Sequence, residues 1–139
     1  TSENSEQMIK FSLTGIFLLL SISLLFTTCK KEEGKGGLST IKGKVYAYDL
    51  DRLGTKVDSG YMADVKVYIS YGNHTWVDDD TRTGIDGSFA FEWLNKGNYK
   101  VWIISECDTC HLNQRADIRN VSIKDKKETI TVTDFTYYY

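Results

Sequence analysis

From residue 41 onward the chain alternates apolar and polar residues with a period of two, and this restricts its fold more than anything else in the sequence. Ile41, Val45 and Ala47 fall on one side of an extended segment, Lys42, Lys44, Tyr46 and Tyr48 on the other. Val65, Val67, Ile69 and Tyr71 repeat the pattern against Lys66, Tyr68 and Ser70, and Phe89, Phe91 and Trp93 against Ser88, Ala90 and Glu92. Successive side chains of a strand point to opposite faces, so each run is expected to bury one face and wet the other. Tyr99, Val101 and Ile103 follow a turn at residues 95–98, a weaker strand is expected at residues 76–83, and two more near residues 118–123 and 129–135. Gly, Asn and Asp clusters punctuate the runs, and no stretch carries a helical period. The expectation is all-β: a single antiparallel β-sandwich of about seven strands, Ig-like in layout, over residues 39–139.

Size and charge narrow the function. A chain of 139 residues, 41% hydrophobic, has room for one modest core. The net charge is −2, and acidic and basic residues are interspersed. With no basic stripe to track a phosphate backbone, nucleic acid is not an expected partner.

The N-terminal segment has a different character. Residues 8–29 read MIKFSLTGIFLLLSISLLFTTC, with Lys10 ahead of an apolar run at residues 11–28 that ends at Cys29. A buried helix would not be apolar on every face, and the run is barely long enough for a transmembrane anchor, so a secretory signal fits best. Leu25, Phe26, Thr27 and Thr28 before Cys29 resemble the lipobox of bacterial lipoproteins, in which the cysteine is lipidated and the preceding residues are removed. The resemblance implies a signal region at residues 1–28, residues 1–7 being an extended gene start, lipid on Cys29 and a flexible tether at residues 29–38. Lys30, Lys31, Glu32 and Glu33 look like the surface-export signal of some Gram-negative lipoproteins, which implies an outer-membrane protein exposed at the cell surface; a periplasm-facing protein is the alternative. The membrane is then a partner through the lipid.

Three stretches carry a second resemblance. IKGKVYAYD, ADVKVYIS and TRTGIDGSFAFEWLNKGNYKVWI, within residues 41–103, resemble in order the strand motifs of carboxypeptidase regulatory-like, transthyretin-like (prealbumin-like) domains. Gly87 and Gly97 match the turn glycines of that pattern, while Met62, Ala63 and Asp64 stand where the family has Pro-Leu-x-Gly-Ala. The resemblance implies a non-catalytic accessory or binding module. The enzymatic cousin, hydroxyisourate hydrolase, depends on several histidines and a C-terminal Tyr-Arg-Gly-Ser. This chain has His74 and His111 and ends DFTYYY, so that activity is not expected.

Other chemistry is sparse. Asp78, Asp79 and Asp80, with Asp86 near, match no compact calcium loop, and successive strand residues cannot aim together, so no metal is expected. No triad, phosphate loop or paired carboxylate with context appears, so no enzyme is expected. Tyr46, Tyr48, Tyr68 and Trp102 lie on faces opposite the inferred core and are candidate ligand-binding aromatics for a surface carbohydrate or protein, although tyrosines also serve as good strand formers. Tyr137, Tyr138 and Tyr139 read as a final strand with a frayed end.

Cys107, Cys110 and His111 form C-x-x-C-H between two expected strands. With Cys29 lipidated, the two remaining thiols of an exported protein are expected to form a local disulfide. A metal half-site would need more ligands, and catalytic exchange would need a helix start to lower a thiol pKa. Haem attachment, with His111 as one axial ligand and Met62 or His74 as the other, stays open, although the polar flank offers no pocket. No cofactor is expected. A small redox lipoprotein using residues 107–111 is the alternative function.

Overall fold

The computed structural model describes residues 31–107 and 111–139, His111 by its backbone alone. The expected signal region, Cys29 and Cys110 lie outside the described residues. Nine strands run through those that are described: β1 (Lys35–Leu50), β2 (Lys56–Tyr61), β3 (Lys66–Tyr71), β4 (Asp79–Arg82), β5 (Ser88–Leu94), β6 (Gly97–Glu106), β7 (Gln114–Ile123), β8 (Thr129–Thr131) and β9 (Phe135–Tyr138). They form two largely antiparallel sheets, the β-sandwich that the alternation implies.

The first sheet is built around β1, whose 16 residues keep the period-two pattern almost throughout. Its first half pairs antiparallel with β5 and parallel with β8, its second half antiparallel with β2 and parallel with β9. The second sheet has the order β4-β3-β6-β7, all antiparallel. Between the sheets lie Ile41, Val45, Val67, Ile69, Leu94, Val101, Ile103 and Phe135, each at most 1% exposed. Burying a side chain of this size contributes roughly 1.5–3 kcal/mol, so this layer dominates the stability. Gly43 lets it close, because a Cβ there would meet the Phe89 ring at 2.9 Å. Gly87, at φ 73, makes the turn into β5 that the motif assigns to it.

The strand count and one side chain differ from expectation. β2 escapes the pattern because its KVDSGY is exposed almost along its length, so neither face needs to be apolar. The last expected strand is split between β8 and β9, and the weak one shrinks to β4. The alternation assigns Trp93 to the inner face with Phe89 and Phe91, yet it is exposed. It adopts φ 62 where the β1–β5 register shifts, and this bulge turns Trp93 outward and puts Leu94 into the core. Asp64, in the stretch that departs from the family pattern, has φ 63, and Arg82 Nη1 donates to both its carbonyl and its Oδ1 at 2.9 Å.

β1 also starts at Lys35, ahead of the expected domain boundary at residue 39, and the residues just before it are docked. The Tyr99 hydroxyl donates to the Asn95 carbonyl at 2.7 Å and accepts the Gly34 amide at 3.0 Å. Asn95 Nδ2 donates to the Glu32 carbonyl at 3.0 Å, and Lys35 Nζ lies 2.7 Å from Asp79. A tyrosine at a strand corner bonding back to upstream backbone is a recurrent sandwich brace. Here the same hydroxyl also fixes the entering chain.

Candidate functional site

The strand pairing splits the four expected aromatics into two pairs on different sheets. Tyr68 and Trp102 are cross-strand neighbours on β3 and β6, with ring centroids 5.7 Å apart. Tyr46 and Tyr48 are on the outer face of β1. There, sequence reasoning missed their neighbours. Tyr61 lies opposite Tyr46 on β2, and Tyr138 lies beside Tyr48 on β9. The ring centroids form a continuous run: Tyr61 to Tyr46 5.2 Å, Tyr46 to Tyr48 5.3 Å, Tyr48 to Tyr138 5.8 Å.

The run is held and charged by its rim. Lys56 Nζ is 3.6 Å from the Tyr48 ring centroid and Lys44 Nζ 4.6 Å from that of Tyr61, within reach of each ring's negative face. The Tyr46 and Ser59 hydroxyls are 3.2 Å apart. Tyr61 donates its hydroxyl to Asp134 Oδ2 at 3.1 Å, and that bond to a carboxylate raises the phenol's pKa above the usual tyrosine range. Tyr138 carries the surface round the end of the sandwich, with Arg115 5.8 Å from its ring. Both residues line a cleft of about 440 Å³ whose other walls include Arg52, Leu53, Glu106 and Tyr139. Asp51 shapes the floor by accepting the Leu53 and Thr55 amides at 2.8 Å.

Cys107 lies on the rim of this cleft, and its amide donates to the Asn113 carbonyl at 3.1 Å, closing the loop that contains Cys110. The loop leaves through a three-residue turn, His111–Asn113, with Leu112 at φ 59, and enters β7. Among the described residues no α-helix starts next to Cys107 to lower a thiol pKa. His74 cannot sit opposite His111, because it follows Tyr71 at one end of β6 while Cys107 follows the other. Met62 packs against the core.

The aspartates of the acidic cluster face separate partners. Asp78 accepts the Tyr71 amide at 2.7 Å and Trp76 Nε1 at 3.0 Å, and His74 Nδ1 lies 2.8 Å from it. Burial pushes the Asp78 pKa up, but the Tyr71 amide, His74 and Trp76 together outweigh it and leave it lowered. Asp79 pairs with Lys35 and Asp80 with Lys66. Asp86 faces Lys44 and Ser88, and those bonds, Ser88 first, hold its pKa at about 2. Among the described residues, no group of three or more His, Cys, Asp or Glu side chains is placed to hold a metal ion.

No protein-family model matches the chain, and no curated protein matches it. Among solved structures, one similar chain is a Pseudomonas aeruginosa protein provisionally described as carbohydrate binding. It has 15% sequence identity and a TM-score of 0.45, covering 75% of this chain and 91% of its own. A likeness of this size assigns neither family nor ligand.

Proposed function

We propose that this chain is a lipid-anchored protein of the bacterial outer membrane, displayed at the cell surface, whose transthyretin-like β-sandwich is a non-catalytic binding module for carbohydrate. The observation that carries the binding role is the unbroken run of four tyrosine rings from Tyr61 to Tyr138, leading into the cleft lined by Arg52 and Arg115. Such rings offer flat apolar contact to sugar faces, and the surrounding hydroxyl, ammonium and guanidinium groups offer donors to sugar oxygens. Anchoring is supported by the order of apolar run, Cys29 and charged segment. Acyl chains on Cys29 would contribute about 0.8 kcal/mol per buried methylene, and more than one chain makes attachment stable. Cys107 and Cys110 form a disulfide at the rim of the cleft in this reading.

Two measurements test it separately. Mass spectrometry of detergent-extracted protein should find an N-terminus at Cys29 carrying acyl chains, and an unmodified Cys29 behind an intact leader removes the lipid. NMR titration with neutral and uronate-bearing oligosaccharides should shift the ring resonances of Tyr46, Tyr48 and Tyr138. If neither sugar class moves them, the carbohydrate role is wrong.

A further inference from the structure

We infer that the end of the sandwich where the chain enters docks against the lipid bilayer, with Trp76 and Trp93 seated among the headgroups. This rests on the membrane-anchored reading of residues 11–29, and it holds whether the anchor is acyl chains on Cys29 or an uncleaved apolar run.

The first argument is reach. The entering chain is fixed as early as the Glu32 carbonyl and the Gly34 amide. At most about 3.6 Å per extended residue, Cys29 cannot be more than about 11 Å from Glu32. A membrane attached at Cys29 is therefore within that chain length of Glu32, at the sandwich end that holds Asn95 and Tyr99.

That end carries the surface such a neighbour requires. Trp93 is 63% exposed, Trp76 59%, Leu38 59% and Val77 46%. Trp93, Trp76 and Val77 are linked through one ion pair: Trp93 precedes Leu94, Leu94 pairs with Lys35, and Lys35 binds Asp79, which follows the loop holding Trp76 and Val77. Exposed apolar side chains elsewhere are spread out: Leu53, Ile85 and Leu112 in three separate connections, Val57, Ile104 and Ile118 on the strands β2, β6 and β7. Trp, like Tyr, is enriched at membrane interfaces; the Trp76 N–H is already held by Asp78, which leaves the indole ring as the contact surface. Exposed lysines stand at the same end; Lys96 and Lys124 face Glu128, and Lys126 and Lys127, between β7 and β8, are suited to anionic headgroups.

Trp93 adds strain to exposure. A bulky residue at φ 62 is disfavoured, and the bulge could have used a glycine. The chain instead keeps the conformation that drives an indole out of the sheet, a pattern found where strain serves a contact. The consequence is polarity: the cleft and the tyrosine run occupy the membrane-distal half, with Tyr46 and Tyr48 at most about 36–43 Å along β1 from its start.

The test uses the full chain in vesicles of phosphatidylethanolamine and phosphatidylglycerol with brominated acyl chains, in a Trp102→Phe background that leaves only Trp76 and Trp93 fluorescent. Blue-shifted emission and strong bromine quenching are expected, and both should disappear with Trp76→Phe and Trp93→Phe. If Trp102→Phe unfolds the protein, the same loss of quenching is read in the otherwise unaltered chain. Unquenched, water-like emission in vesicles overturns the docking. So does emission that is already blue-shifted without vesicles and grows with protein concentration, since a second copy would then cover the patch. Mass spectrometry of the same sample separates the two ideas: acylated Cys29 without quenching leaves the lipid reading standing, and quenching without acylation leaves the docking standing.

Discussion

The Thr136 amide of one sheet donates to the Asp117 carboxylate of the other at 3.0 Å. Asp117 and Arg119 stand opposite Ile103 and Val101 on β7, so they occupy the parity that faces the core. Arg119 binds Asp117 and also donates to Thr133 Oγ1 at 2.9 Å and to the Asp134 carbonyl at 3.0 Å, with its guanidinium 4.8 Å from the Phe135 ring. A polar pair thus closes the sandwich corner where hydrophobic residues are expected.

Asp117→Ala should therefore leave the Thr136 amide and part of Arg119 without acceptors. The expected cost is about 1–3 kcal/mol, the penalty for a partly buried group stripped of its partner. Asp117→Asn should lose less, because its amide oxygen can still accept from Thr136. Urea unfolding should show a lower midpoint with an unchanged slope. A midpoint equal to the parent's would mean that the corner is held by packing alone.

Phe91 and Trp93 separate the core register from its apparent continuation. Phe91 is 5% exposed and Trp93 63%. Phe91→Ala should cost about 3–5 kcal/mol, a large part of a small domain's stability. Trp93→Gly should instead be neutral or stabilising by up to about 1 kcal/mol, since glycine accepts the left-handed backbone without a Cβ penalty. Comparable losses at both sites, measured by thermal melts, would restore the uninterrupted alternation.

These residues also mark what the sequence could express. Alternation is a signal of one buried face, so it reports β1, β3, β5 and β6, where Ile41, Val67, Phe89 and Val101 point inward. It is silent over β2, which is wet on nearly every side. It misleads at Trp93, because a bulge resets parity without changing residue type. Parity placed Tyr46, Tyr48, Tyr68 and Trp102 on outer faces, but parity does not say which sheet a strand joins, so it could not divide them into two pairs. Tyr61 carries no signal because its strand carries none, and Tyr138 is one of three successive tyrosines. The alternation of Thr136 and Tyr138 against Phe135 and Tyr137 was the available clue.

Alkaline pH should weaken the domain through Tyr71. Burial, followed by the nearby Asp79 and Asp78 charges, raises its pKa from 10.0 to about 12. A phenol whose folded pKa is raised holds its proton longer when folded, so stability is intact below pH 10 and falls between 10 and about 12 as the unfolded chain ionises. Tyr71→Phe should flatten that limb while keeping the ring's contact with Tyr99. The check is denaturant midpoint against pH for both proteins, and an equally steep decline in the variant would assign the effect elsewhere.

Acid should act in the opposite sense through Asp86, whose pKa is lowered from 3.8 to about 2. Its contribution is present above the unfolded value and is lost as pH falls from 3.8 toward about 2. Because the carboxylate is exposed to solvent, the effect should also shrink with added salt. Ser88→Ala removes the first of its partners and should bring the Asp86 titration, followed by carboxyl NMR shifts, back toward the ordinary range. An unmoved titration would leave Lys44 as the dominant influence.

The proposed Cys107–Cys110 bond gives the last expectation. Thiol titration of unfolded, unreduced mature protein should find neither cysteine reactive. The ring they close is short, so loop-closure entropy contributes on the order of 2 kcal/mol or less. The double change to Ser should therefore lower the melting temperature only slightly, because the Cys107 amide still binds the Asn113 carbonyl and the loop keeps its exit into β7. If the cleft is the carbohydrate site, loosening its rim should weaken sugar binding more than it lowers stability. A stoichiometric Soret band in the purified protein, or rapid turnover in an insulin-reduction assay, would replace the structural disulfide with redox chemistry at residues 107–111.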